Sequence, residues 1–180
     1  MKTEIYKSKE VNASISLINN KLHFNGSVEG NSAISIDYFP PLGDNLGYTS
    51  LELLLLSLTS CIGSAVLTFL RKMKKTITAC EINAKGIRKE DHPTGFKTIL
   101  IIIEISSADI NAEDMDKVLK LTEDTYCPVW SMLKATLAWK QNIKLYEFNL
   151  IYYVKNTWNT TQKTQWFLWE FSFKNDGIQE

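Results

Sequence analysis

Apolar residues change their spacing several times along the chain, and each change marks a different kind of element. Residues 3–38 read as short strands and turns. Ile15-Ser-Leu-Ile18, then Asn19-Asn20, then Lys21-Leu-His-Phe24 predict a hairpin. Gly26 to Asn31 supplies another turn before a strand at Ile34–Tyr38. The stretch Pro40-Pro-Leu-Gly-Asp-Asn-Leu-Gly47 is a loop by its breaker content. From Leu51 the apolar residues run almost unbroken, as LELLLLSLTSCIGSAVLTFL over 51–70, which predicts one long helix reaching about Lys74. Ile77 to Arg88 predicts a strand with Cys80, Ile82 and Ala84 on one face. Asp91–Gly95 is the turn into a second strand, Phe96 to Ile105, whose run ILIII at 99–103 does not alternate, as expected of a strand covered on both faces. Asn111-Ala-Glu-Asp114 starts a helix, with carboxylates in its first turn, that reaches about Glu123. Pro128 opens another helix to about Leu137, and Ile143–Phe148 is the closing strand. Strands, a helix, two strands, helices and a strand make an α+β fold.

The texture changes near Leu150. Residues 149–180 hold three of the five tryptophans, a polar patch at 156–165, and then WFLWEFSF at 166–173 with little periodicity. This is either a lineage-specific extension or sequence read past the natural end of the domain, and no role is assigned to it. The remaining 1–148 reads as one domain.

Composition narrows the function. With 180 residues and 44% apolar content the chain can bury a real core. Twenty basic and twenty acidic residues cancel, so nothing draws the protein to nucleic acid or to an anionic membrane. Three cysteines are not a disulfide framework and fit a reducing, cytoplasmic setting. His23 and His92 stand apart from each other and from any Cys-x-x-Cys, so neither a metal nor another cofactor is expected. The N-terminus lacks the apolar core of a signal peptide. Residues 51–70 lie at the lower edge of membrane-spanning length and contain several Ser, Thr and Gly, so a buried central helix at a subunit interface is the simpler expectation. A helix so uniformly apolar needs more cover than one chain of this size offers, which predicts a homodimer.

The covalent chemistry available lies in the cysteines. Cys61 is buried among leucines in the long helix, where it is either a small core residue or a reactive thiol. Cys127 precedes Pro128 and so takes the N-cap position, where free N–H groups and the helix dipole are expected to favour a thiolate. Cys80, within a strand, is core or surface filler. Glu52 admits two roles. Thr49-Ser-Leu-Glu52 has the T-x-x-E form of a capping box, and nine residues of helix put Glu52 about 13 Å from Cys61 and on the opposite side. A catalytic role, orienting a cation beside Cys61, is the alternative.

SLELLLLSLTSC at 50–61, with its acidic residue nine before the cysteine, followed 66 residues later by Cys127-Pro-Val129 and a helix, resembles the OsmC/Ohr superfamily of organic hydroperoxide reductases. The resemblance covers roughly residues 10–148. It implies an intertwined α+β homodimer with Cys61 as the peroxidatic thiol, Cys127 as the resolving thiol, and Glu52 as the acidic site residue. An organic hydroperoxide would be the substrate and an external dithiol the reductant. Peroxidases of this superfamily set an arginine from their N-terminal strands or loops beside the peroxidatic thiolate. The two arginines here, Arg71 and Arg88, both follow Cys61, which leaves Lys21 or His23 as substitutes. In this the chain resembles more closely the OsmC-like branch with an acidic residue at the Glu52 position and no such arginine.

Three functions follow as expectations. One is a thiol-dependent peroxidase of the oxidative stress response, one a small-molecule binding or redox-sensing protein without turnover, and one a dimeric scaffold with structural cysteines.

Overall fold

The computed structural model describes residues 10–134 together with the backbone of 138–144 and 150–153. Two sheets and three helices result, and the chain is α+β as its pattern predicts. Three short strands come first, β1 (Ser14–Leu17), β2 (Phe24–Ser27) and β3 (Ile34–Ile36), paired antiparallel in the order β1-β2-β3. The first hairpin turn is longer than the Asn19-Asn20 pair suggests: Ile18 N–H donates to His23 O at 2.8 Å, so the ladder restarts only at Phe24. This small sheet makes no substantial element-to-element contact with the rest of the described chain.

The long helix α1 (Ser50–Lys72) begins where the capping box places it. Thr49 is the N-cap; Glu52 Oε2 accepts from Thr49 N–H at 2.7 Å, and Thr49 Oγ1 accepts from Glu52 N–H at 3.4 Å. Its C-terminus falls two residues short of the expected Lys74. Lys74 itself takes the left-handed conformation, with φ at 62°. Lys74 N–H then donates to Arg71 O at 2.9 Å and Lys75 N–H to Leu70 O at 3.0 Å, which closes the helix in a Schellman turn.

The second sheet carries the core. β4 (Ala79–Arg88) and β5 (Phe96–Ser106) pair antiparallel over their full length. β6 (Ala138–Lys144) runs parallel to the first half of β5, and β7 (Leu150–Tyr153) runs antiparallel to its second half. The closing strand therefore starts five residues before the expected Ile143, because its ladder with β5 is set at Thr98↔Ala138. Residues 145–148 of the expected strand lie outside the described residues. The sheet also takes Leu150–Tyr153, beyond residue 148; the rest of 149–180 lies outside the described residues.

On β5 the odd positions Ile99, Ile101, Ile103 and Ile105 are buried, whereas Leu100 and Ile102 are half-buried. Full cover on both faces, expected from the unalternating run, is thus met on one face only. The buried row packs with Leu58, Ile62, Val66 and Leu70, a stripe of α1 spaced by four, and with Met115, Val118 and Leu119 of α2 (Ala112–Leu121). Gly63 allows α1 to approach β4, since a Cβ there would stand 3.0 Å from Ile82 Cδ1. α1 has the length and composition of a membrane span, and only 28% of its most apolar window is buried within this chain. Leu51, Leu54, Leu55 and Phe69 are half-buried against the core, and Leu56 is exposed.

Candidate functional site: a thiol pair between two helices

α2 does not run on to Glu123. It widens after Leu121 into a π-helical turn, Thr122–Tyr126, closed by Cys127 N–H donating to Thr122 O at 3.0 Å. Such single wide turns occur often at functional sites. Cys127 then leaves in an extended conformation, and α3 (Pro128–Lys134) starts at the proline as expected. Ser131 N–H closes the first turn of α3 on Cys127 O at 3.0 Å. Trp130 N–H points at the cap side chain and donates to Cys127 Sγ at 3.4 Å.

α3 packs across α1, and this contact brings the two helical cysteines together. Cys127 Sγ lies 2.7 Å from Cys61 Sγ, and both remain free thiols. Cys127 is 1% exposed, whereas Cys61 is half-buried at the edge of the core stripe. The sequence therefore placed each cysteine in its helix, and the packing of those helices makes them one site.

The expected low pKa at Cys127 is not found. Burial pushes the thiol up, and its hydrogen bond with Cys61 pushes it further, to about 12. The N–H groups of Trp130 and Val129 act in the opposite direction and are outweighed. The cap geometry is present, but a single turn of dipole does not offset the desolvation of a sulfur shut off from water.

Glu52 is held at the other end of the same stretch of helix. Its Oε2 accepts from both the N–H and the hydroxyl of Thr49, and nine residues of α1 separate it from Cys61. Neither basic residue considered as a cation for Cys61 approaches it within this chain. Lys21 Nζ pairs with Asp44, and His23 Nε2 lies 2.8 Å from Ser35 Oγ. Arg88 is bound to the carbonyl and hydroxyl of Thr94. Arg71 is exposed near the end of α1, where its charge acts on Cys80. Burial raises the Cys80 thiol despite that charge.

Two features escaped the sequence. The backbone donor from Trp130 was implicit in the Cys-Pro start, which fixes residue 130 as the third helical position. Asp37 gave no comparable signal, yet its carboxylate is 0% exposed. It accepts from Tyr38 N–H at 2.8 Å, Leu46 N–H at 3.0 Å and Asp44 N–H at 3.1 Å, and so ties down the loop leading into α1. Burial by itself would raise its pKa; these three N–H groups, helped by His23, bring it below the usual carboxylate range.

An α+β core with two thiols in contact across α1 and α3 defines a thiol protein of OsmC-like architecture. The family model described as OsmC-like protein matches residues 43–142, more than half of the chain, and the chain belongs to that family. The match contains the capping box and both cysteines. Solved structures agree in fold. A hypothetical protein from Aquifex aeolicus VF5 is 24% identical, with a TM-score of 0.62 over 74% of this chain and 96% of that one. An OsmC-like protein from Mycoplasma pneumoniae is 18% identical, with a TM-score of 0.64 over 74% and 94%. An organic hydroperoxide resistance protein from Legionella pneumophila is 14% identical, with a TM-score of 0.57 over 74% and 96%. No curated protein matches the chain.

Proposed function

We propose that this protein is a cytoplasmic, homodimeric thiol peroxidase that reduces organic hydroperoxides in the response to oxidative stress. The observation that carries the reading is the 2.7 Å approach of Cys61 Sγ to Cys127 Sγ. Membership of the OsmC-like family supports it, as does the likeness in fold to a protein named for hydroperoxide resistance. Cys61, the less buried thiol, is the attacking residue. Its thiolate forms a bond to the terminal peroxide oxygen, the O–O bond breaks, and the alkoxide leaves as an alcohol on taking up a proton. Cys61 is then a sulfenic acid. Cys127 sulfur attacks the Cys61 sulfur, the S–S bond forms, and the sulfenic oxygen leaves as water with the proton from Cys127. An external dithiol supplies two electrons, becomes a disulfide itself and restores both thiols. Apolar surroundings along α1 favour fatty or aromatic hydroperoxides over hydrogen peroxide. Glu52 enters this reading through the start of α1, with its carboxylate on the surface and open to a second subunit.

One observation favours a non-catalytic binding or redox-sensing protein instead, namely the high pKa of Cys127 in a site where Lys21, His23, Arg71 and Arg88 supply no cation among the described residues. Intact mass after one equivalent of cumene hydroperoxide separates the two. The peroxidase loses two hydrogens on oxidation, and its Cys127→Ser variant gains one oxygen on Cys61. Cys61→Ser consumes almost no hydroperoxide. If wild type reacts no faster than free cysteine, the binding reading stands.

A further inference from the structure

The site as described lacks the positive charge that ordinarily keeps a half-buried sulfur ionised. Among the described residues, Lys21, His23 and Arg88 are bound elsewhere within this chain, and Arg71 is exposed near the end of α1. Among the described residues, the hydrogen-bond partner of Cys61 Sγ is Cys127 Sγ. The two sulfurs are unequal. Cys127 Sγ already receives the Trp130 N–H at 3.4 Å, which occupies its acceptor side and leaves its S–H to point along the 2.7 Å line to Cys61. At 1% exposure it has no water to donate to. Cys61 is more open and is the better placed of the two to carry charge.

We propose that the Cys127 S–H is a hydrogen-bond donor that holds Cys61 as a thiolate, in a relay running from Trp130 N–H through Cys127 S–H to Cys61 S⁻. This rests on Cys61 being the attacking thiol. Cys127 thereby has two successive duties, as the positioning donor that stabilises the reduced site and then as the resolving thiol. The high pKa of Cys127, which would otherwise count against resolution, is what a donor requires: the proton must stay on Cys127 while Cys61 gives its own up. No proton is lost in the accounting. It remains on Cys127 until Cys61 is oxidised, and then departs with the sulfenic oxygen as water.

The donor role is separable from the resolving role by substitution. Serine keeps an O–H at position 127 and cannot resolve; alanine keeps neither. In a Cys80→Ala background, the ionisation of Cys61 is followed by the pH dependence of iodoacetamide alkylation and by thiolate ultraviolet absorbance. The expected result is a midpoint for Cys127→Ser close to that for Cys127→Thr, and one at least about one pH unit higher for Cys127→Ala, equivalent to a tenfold loss of thiolate below the midpoint. Equal midpoints for serine and alanine would overturn the proposal. Should the alanine variant not fold, the wild-type protein decides through peptide mapping. A Cys61 alkylation midpoint below the ordinary thiol range supports the relay, and a midpoint at or above that range overturns it. Peroxide turnover is measured separately. A shifted midpoint without turnover removes the peroxidase reading and leaves the relay intact.

Discussion

Between the pH at which an ordinary thiol ionises and about 12, native Cys127 keeps a proton that the unfolded chain has already lost. The raised pKa therefore contributes stability that is complete below the ordinary thiol range and declines as pH rises toward the native value. We expect iodoacetamide to leave Cys127 unmodified in the folded protein well above about pH 8.5, and to modify it there once urea has unfolded the chain. Equal rates in the two states would show that water reaches the sulfur. Sequence made both cysteines legible, because a Cys-Pro pair and an apolar helix with a T-x-x-E start are local patterns. The ionisation of Cys127 was not legible. Its helix dipole is local and readable, but the desolvation that outweighs it comes from α1 packed across it.

The elements divide in the same way. The start of α1 was readable because Thr49 and Glu52 satisfy each other's neighbouring N–H groups within three residues. Thr49→Ala should cost about 1 kcal/mol in urea-induced unfolding, with no change in the slope that reports exposed surface. A cost near zero would mean that water replaces the cap. The other end of α1 was less readable, since the Schellman turn sets Lys74, rather than a glycine, at positive φ. The π-helical turn has no sequence period of its own. The placement of β6 was also hidden, because pairing parallel to β5 is a choice made between distant segments. Periodicity reports which residues are apolar and at what interval, and says little about which strand lies beside which.

For the molecule as a whole, cover is the open account. Ile15 is 63% exposed and Leu46 62%, and Leu56 stands on the uncovered side of α1. We expect light scattering at micromolar concentration to give the mass of a homodimer, and a monomeric mass would reject it. Acid should test the buried and bonded carboxylates. Asp37, Asp109 and Asp114 all have pKa values held below the usual carboxylate range. For Asp37 burial works against this and backbone N–H donors prevail. For Asp109 the Ser107 hydroxyl leads, and for Asp114 the Lys75 ammonium. Asp116 is the opposite case, raised by burial. The three lowered groups contribute stability present above the ordinary carboxylate range and lost as pH falls through their native values. Asp37→Asn should lower the melting temperature at neutral pH and flatten its dependence on acid. An unchanged acid profile would exclude Asp37 as a contributor.

β1–β3 meet their own chain through the loop that follows them, at the Ile36↔Tyr48 bridge and at Tyr48 N–H to Ser35 O, rather than through its helices or larger sheet, which bears on how a dimer would form and part. A three-stranded sheet of four, four and three residues, with Ile15, Leu17 and Ile34 exposed among its serines, gains order when that apolar surface is covered. Its ordering would then be a bimolecular event, with a rate that scales with protein concentration while the helices and the larger sheet fold at a rate that does not. In the proposed dimer, two such sheets closed over each other's chains would both have to come off before the subunits part. Isotopically labelled and unlabelled protein, mixed after folding, should consequently exchange subunits far more slowly than the strength of the contact alone would suggest.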